Sequence, residues 1–103
     1  MAKTKISDLK KFDVADLLDS DEAMAEYLNA ALEDDDPAFL ITAIGDIARA
    51  QGMGKIADKT GLGRESLYKS FREDASPKFD TVQRVVSALG LKLTVQPATE
   101  RAA

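Results

Sequence analysis

The chain has 103 residues and a formal net charge of −4; 45% of its residues are apolar and 31% charged, and it contains neither cysteine nor histidine. That size and composition fit one soluble domain around one small core. The missing cysteine excludes disulfides and thiolate chemistry and fits a reducing cytoplasm, and without histidine the commonest acid–base group and activator of serine is gone, so neither an enzyme nor a cofactor is expected. Met1 to Ile6 carries basic residues with no apolar stretch behind them. No segment approaches the roughly 18 apolar residues of a membrane span, so neither secretion nor membrane insertion is expected.

The charge is divided unevenly. Met1 to Gly52 holds five basic and twelve acidic side chains, a balance of −7, whereas Met53 to Lys92 holds eight basic and five acidic, a balance of +3. This division suggests two surfaces with different partners, one suited to nucleic acid and one to a cationic protein, the competing reading being that Asp and Glu merely solvate exposed helix faces. Along the acidic half, Asp13 to Leu18 reads as a short helical turn. Ser20 is a good N-cap, with Asp21 and Glu22 at the positive end of the helix it opens. Ala23, Met24, Tyr27, Leu28, Ala31 and Leu32 then recur at spacings of three and four and form one buried stripe. The run Glu33-Asp34-Asp35-Asp36 has hard oxygen ligands, yet Asp36 as N-cap with Pro37 at the first helical position explains it without a metal, and no metal is expected. Phe39, Leu40, Ala43, Ile44, Ile47 and Ala48 line the next helix, which Gly52 ends in the left-handed conformation.

Residues 53–71 have the layout of a helix-turn-helix. Met53, Ile56, Ala57 and Thr60 give a short helix one inner stripe, and the small Ala57 permits a close crossing. Gly61 supplies the turn and Leu62 plugs its corner, while Leu67 and Phe71 anchor the second helix inward. The other face of that helix carries Arg64, Glu65, Tyr68 and Lys69. This set can donate to guanine, accept from cytosine and pack on thymine methyl groups, as a helix in the major groove requires. Pro77 leads into a further helix whose Phe79, Val82, Val85, Val86 and Leu89 share a face and which Gly90 ends. Leu91 to Gln96 alternates apolar with polar until Pro97, the pattern of a half-buried strand. The chain offers that strand no partner of its own, so pairing is expected with another copy or a different protein, the alternative being a tail that simply packs as an extended arm. Residues 98–103 read as a frayed tail.

The sequence resembles the Cro-like phage-repressor helix-turn-helix proteins and, within them, the HigA-like addiction-module antidote proteins. The resemblance is carried by Leu28 to Leu32, Asp36 to Leu40, Ala43 to Ala50, Gly61 to Lys69 and Pro77 to Val82. It departs from the pattern at Gly63, where the family caps the recognition helix with Ser or Thr, and at Met53, where a polar residue often opens the first helix. The resemblance implies an all-α, repressor-like helical bundle with a short C-terminal strand. One domain over residues 1–97, with an N-terminal helical extension, is the corresponding organisation. It also implies an antitoxin that binds a small basic toxin, one that cleaves messenger RNA during translation, and that represses its own operon. A stand-alone repressor and a protein-binding helical module without DNA binding are the alternative readings.

These expectations assign roles to particular residues. Arg64, Glu65, Tyr68 and Lys69 are assigned to base reading in double-stranded operator DNA, and Lys55, Lys59, Ser66, Ser76 and Lys78 to its phosphates, where contacts carry little sequence information. A two-fold operator asks for a homodimer, with Leu91, Leu93 and Val95 as its interface. Phe12, Leu17, Leu18 and Tyr27 are the candidate anchors for the toxin, with the acidic residues steering encounter. For Tyr27 a place in the protein's own core is the competing assignment.

Overall fold

The computed structural model describes residues 20–72 and 74–98. Among these it forms five helices: α1 Asp21–Leu32, α2 Ala38–Gln51, α3 Met53–Thr60, α4 Arg64–Ser70 and α5 Phe79–Ala88. The architecture is a helical bundle in which α1 packs on α2, α2 on α3 and α5, and α3 on both α4 and α5. No helix among the described residues is long and apolar enough to cross a membrane.

Each helix starts and stops for a local reason. The Ser20 hydroxyl accepts the Ala23 N–H at 3.0 Å, which satisfies one orphan donor of α1. Asp36 does the same for α2, since its Oδ1 accepts the Ala38 N–H at 3.0 Å, and Asp34 Oδ1 accepts the Asp36 N–H at 3.0 Å. Two members of the acidic run are thus used as backbone acceptors. Gly52 both closes α2 and opens α3, with φ 112° and ψ 111°; this is positive φ as expected, but not the left-handed helical conformation. At Gly61 that conformation does occur, with φ 75° and ψ 9°, and its N–H reaches the Ala57 carbonyl at 2.9 Å. Thr60 braces the same turn by donating to the Ile56 carbonyl at 2.9 Å and accepting the Leu62 N–H at 3.2 Å. Helix α5 ends in a Schellman motif, in which Leu91 N–H reaches back to the Val86 carbonyl at 3.1 Å and Gly90 N–H to that of Ser87 at 2.9 Å.

The core gathers Met24, Tyr27 and Leu28 from α1, Ile44 and Ile47 from α2, Ile56 from α3, Leu67 and Phe71 at α4, and Val82, Val85, Val86 and Leu89 at α5. Two large apolar residues assigned to inner stripes are exposed. Leu32 is 52% exposed and Phe79 68% exposed. Each stands at a helix end, where the stripe has run past its neighbour, so periodicity alone places it on a face that nothing covers.

The expected C-terminal strand is not formed; residues 91–98 carry no regular secondary structure. A strand exists only within a ladder, and Lys92 to Gln96 make no hydrogen bond to the described chain. Leu91 and Leu93 are half-buried against the core, while Val95 is 99% exposed.

One glycine decides how α2 meets α4. A Cβ at Gly45 would stand 2.9 Å from the Phe71 carbonyl oxygen and 3.0 Å from the Phe71 Cβ, so the main chains touch there. Phe71 is fully buried and cannot retreat. Gly45→Ala gains about 1 kcal/mol of helix propensity, but overpacking of this kind costs about 1 to 3 kcal/mol. We expect a net loss of stability, read as a lower urea midpoint. Gly54→Ala is the contrast: nothing lies within 4 Å of its Cβ position, and the same propensity gain should raise the midpoint. A Gly45→Ala protein as stable as Gly54→Ala would contradict the close approach.

Candidate nucleic-acid interface

Helix α4 is held from beneath and open above. Leu67 and Phe71, one helical turn apart, are both 1% exposed, which fixes the rotation of the helix about its axis. Arg64, Glu65, Tyr68 and Lys69 consequently all stand exposed on the other side. The structure brings two of them into contact: the Arg64 guanidinium lies 6.0 Å from the centre of the Tyr68 ring, at the outer limit of a cation–π contact. The helix begins at Gly63, whose extended backbone offers no side-chain cap. Its first amides are therefore left without the acceptor that Ser or Thr provides.

The five candidate phosphate contacts, Lys55, Lys59, Ser66, Ser76 and Lys78, are all exposed. Within the basic half, Arg72 pairs with Asp74 at 3.8 Å and Arg84 with Asp80 at 3.3 Å, both on the open surface. Lys55, Lys59, Arg64, Lys69 and Lys78 have no ion-pair partner among the described residues. Cations without an acid beside them keep their full charge for an external anion. Lys59 also lines a groove of about 570 Å³ with Arg84, Ser87 and Lys92. That convergence joins the end of α3 to α5 and the C-terminal segment. Sequence reading missed it because no spacing rule relates three separate segments.

Of the residues assigned to the toxin, Phe12, Leu17 and Leu18 lie outside the described residues. Tyr27 is placed in the core, 4% exposed, and is no surface anchor here. The physical reason is its position one turn below Ala31 and beside Leu28 on the face that α1 turns to α2. Its hydroxyl donates to Asp46 Oδ2 at 3.5 Å, and Arg49 pairs with the other Asp46 oxygen at 3.1 Å. Leu91, Leu93 and Val95, assigned to a dimer contact, lie in the unpaired segment after α5.

Residues 8–97 match the family model described as "probable addiction module antidote protein". The chain belongs to that family. A protein of Haemophilus influenzae strain Rd, described only as an uncharacterized protein, is 46% identical over 88 residues, which cover 85% of this chain and 91% of its own length. No solved structure matches. Membership in an antidote family gives the chain an antitoxin role, one half of a toxin–antitoxin pair, with a toxin as its partner.

Burial, reinforced by the adjacent Asp46 carboxylate and its hydrogen bond, pushes the Tyr27 hydroxyl up to about 12 from its ordinary value of 10.0. A proton held more tightly in the folded state contributes stability that is complete below pH 10.0 and is lost as pH rises through about 12. The chain has two tyrosines, so in Tyr68→Phe the tyrosinate absorbance reports Tyr27 alone. Its midpoint should fall near 12 while the protein is folded and near the ordinary value in denaturant. A folded-state midpoint at the ordinary value would place the ring in solvent.

Proposed function

We propose that this antitoxin neutralises its toxin by direct binding and represses its own operon, with α3 and α4 acting as a helix-turn-helix on operator DNA. One observation carries the DNA half of this reading: a short helix anchored by two buried residues presents Arg64, Glu65, Tyr68 and Lys69 to solvent. The left-handed Gly61 between the helices and the unpaired cations around them support it. Arginine bonds guanine in a bidentate fashion, glutamate accepts from cytosine, and the tyrosine ring covers thymine methyl groups or sugar. Lys55, Lys59, Ser66, Ser76 and Lys78 supply the sequence-independent share of affinity. The resemblance to HigA-like proteins supports a basic, messenger-RNA-cleaving toxin, for which the acidic half of the chain is the complementary surface.

Arg64→Ala should weaken operator binding by about 1 to 3 kcal/mol and relax specificity at one base pair. A mobility-shift titration reads both effects. Unchanged affinity removes Arg64 from base reading, and failure of the wild type to bind its own promoter region removes the DNA half altogether. Removal of Met1 to Asp19 should spare promoter binding and abolish rescue of cells from the toxin. A truncated protein that folds and still rescues would place the toxin contact on the described bundle.

A further inference from the structure

The groove between α3, α5 and the C-terminal segment carries a charge that base reading by α4 does not use. Its volume, about 570 Å³, lies in the range of small-molecule sites. Lys59 lines it from the end of α3, Arg84 and Ser87 from α5, and Lys92 from the segment after α5. Three positive charges thus meet there with no carboxylate in the lining, although acids outnumber bases 18 to 14 in the chain. Lys59 and Lys92 have no ion-pair partner among the described residues. Arg84 pairs with Asp80 at 3.3 Å, but both side chains are at least half exposed, and such surface pairs are weak enough to open for a stronger anion. Leu91 and Leu93 complete the wall, half-buried against the core and so partly open to the groove. No residue of α4 lines it.

We propose that this groove binds a nucleoside polyphosphate, a function separate from base reading by α4. The cations select the phosphates. A chain of phosphates offers separate oxygens to three positive groups, whereas a single phosphate would leave part of their charge unmatched. Arg84 supplies a planar fork, Lys59 and Lys92 act as point charges, and the Ser87 hydroxyl is a further donor. The leucines select the nucleoside. Free polyphosphate would leave Leu91 and Leu93 in water, whereas a flat base covers them and removes apolar surface from solvent. A run of Asp or Glu in another protein would meet the cations but brings no such group. The neighbouring groove along α1 is a poorer anion site, because Glu33 lines it beside Lys92. Operator DNA is the other source of phosphate; Lys59 is assigned to it above, whereas Arg84 and Lys92 belong to this groove alone. Neither DNA binding nor toxin neutralisation is needed for the site to exist.

Isothermal titration of the full chain with ATP, adenosine and inorganic triphosphate tests the site. ATP should bind with a dissociation constant below about 1 mM at low salt, and added salt should weaken it. Adenosine should give no heat, and triphosphate should bind about fivefold more weakly than ATP for want of the base. The double variant Arg84→Gln, Lys92→Gln should lose about tenfold or more in ATP affinity while its helical circular dichroism signal and its affinity for the promoter region stay as in the wild type. Arg64→Ala should leave ATP binding unchanged. A wild type that does not bind ATP overturns the proposal, as does ATP binding that survives the double variant. Equal affinity for triphosphate and ATP removes the nucleoside. A double variant that loses promoter affinity as steeply as ATP affinity assigns the groove to the DNA backbone, and a glutamate oligomer that binds more tightly than ATP assigns it to an acidic protein segment; either result overturns the proposal.

Discussion

Helix α4 reaches its orientation through the contact between Gly45 and Phe71. A side chain of any size at position 45 would meet the Phe71 carbonyl and Cβ at 3.0 Å or less, so α2 and the end of α4 approach at main-chain distance. Phe71 then fills the space beneath with Ile44, Ile47 and Ile56, all fully buried with it. With Leu67 as the second point of attachment, two contacts one turn apart define which residues of a seven-residue helix face outward. A helix of that length has little stability of its own. Its exposed face is ordered because its buried face is.

The acidic half joins the same core through α1 and α2. Tyr27 crosses from one to the other and donates to Asp46, which also receives Arg49. The polar chain is short, and every member has a partner, so the tyrosine is buried without an orphaned hydroxyl; no buried side-chain nitrogen or oxygen among the described residues lacks one. An aromatic residue in the acidic segment is thereby committed to the core. Charge, by contrast, stays at the surface: Glu33, Asp34, Asp35 and Asp36 are all exposed, as is Glu22. Among the described residues, the two charge-opposed halves share one apolar core.

Much of this was legible in the sequence because the governing rules are local. Ser20 and Asp36 announce helix starts by their hydrogen-bonding chemistry, and Gly61 announces a turn by its lack of Cβ. Spacings of three and four found Met24, Leu28, Ile44, Ile47, Leu67 and Val85. The same spacings misplaced Leu32 and Phe79, since period identifies a face but not how far the neighbouring element extends over it. Gly45 carried no local sign at all; inside a helical pattern it reads as a mild propensity defect, and only the crossing of α4 explains it. The groove shared by Lys59, Arg84 and Lys92 was hidden for the same reason, as its residues come from three segments that meet through the fold.

In the C-terminal segment local pattern and tertiary context diverge. Alternation correctly marks Leu91 and Leu93 as half-buried, but the described chain contains nothing for the backbone to pair with. Val95, the third residue of the same alternation, is 99% exposed. Packing of alternate side chains and formation of a ladder are separate conditions: the first needs only an apolar groove, which Leu28, Leu32 and Val86 help to line, and the second needs another backbone at hydrogen-bonding distance, which side-chain period does not encode.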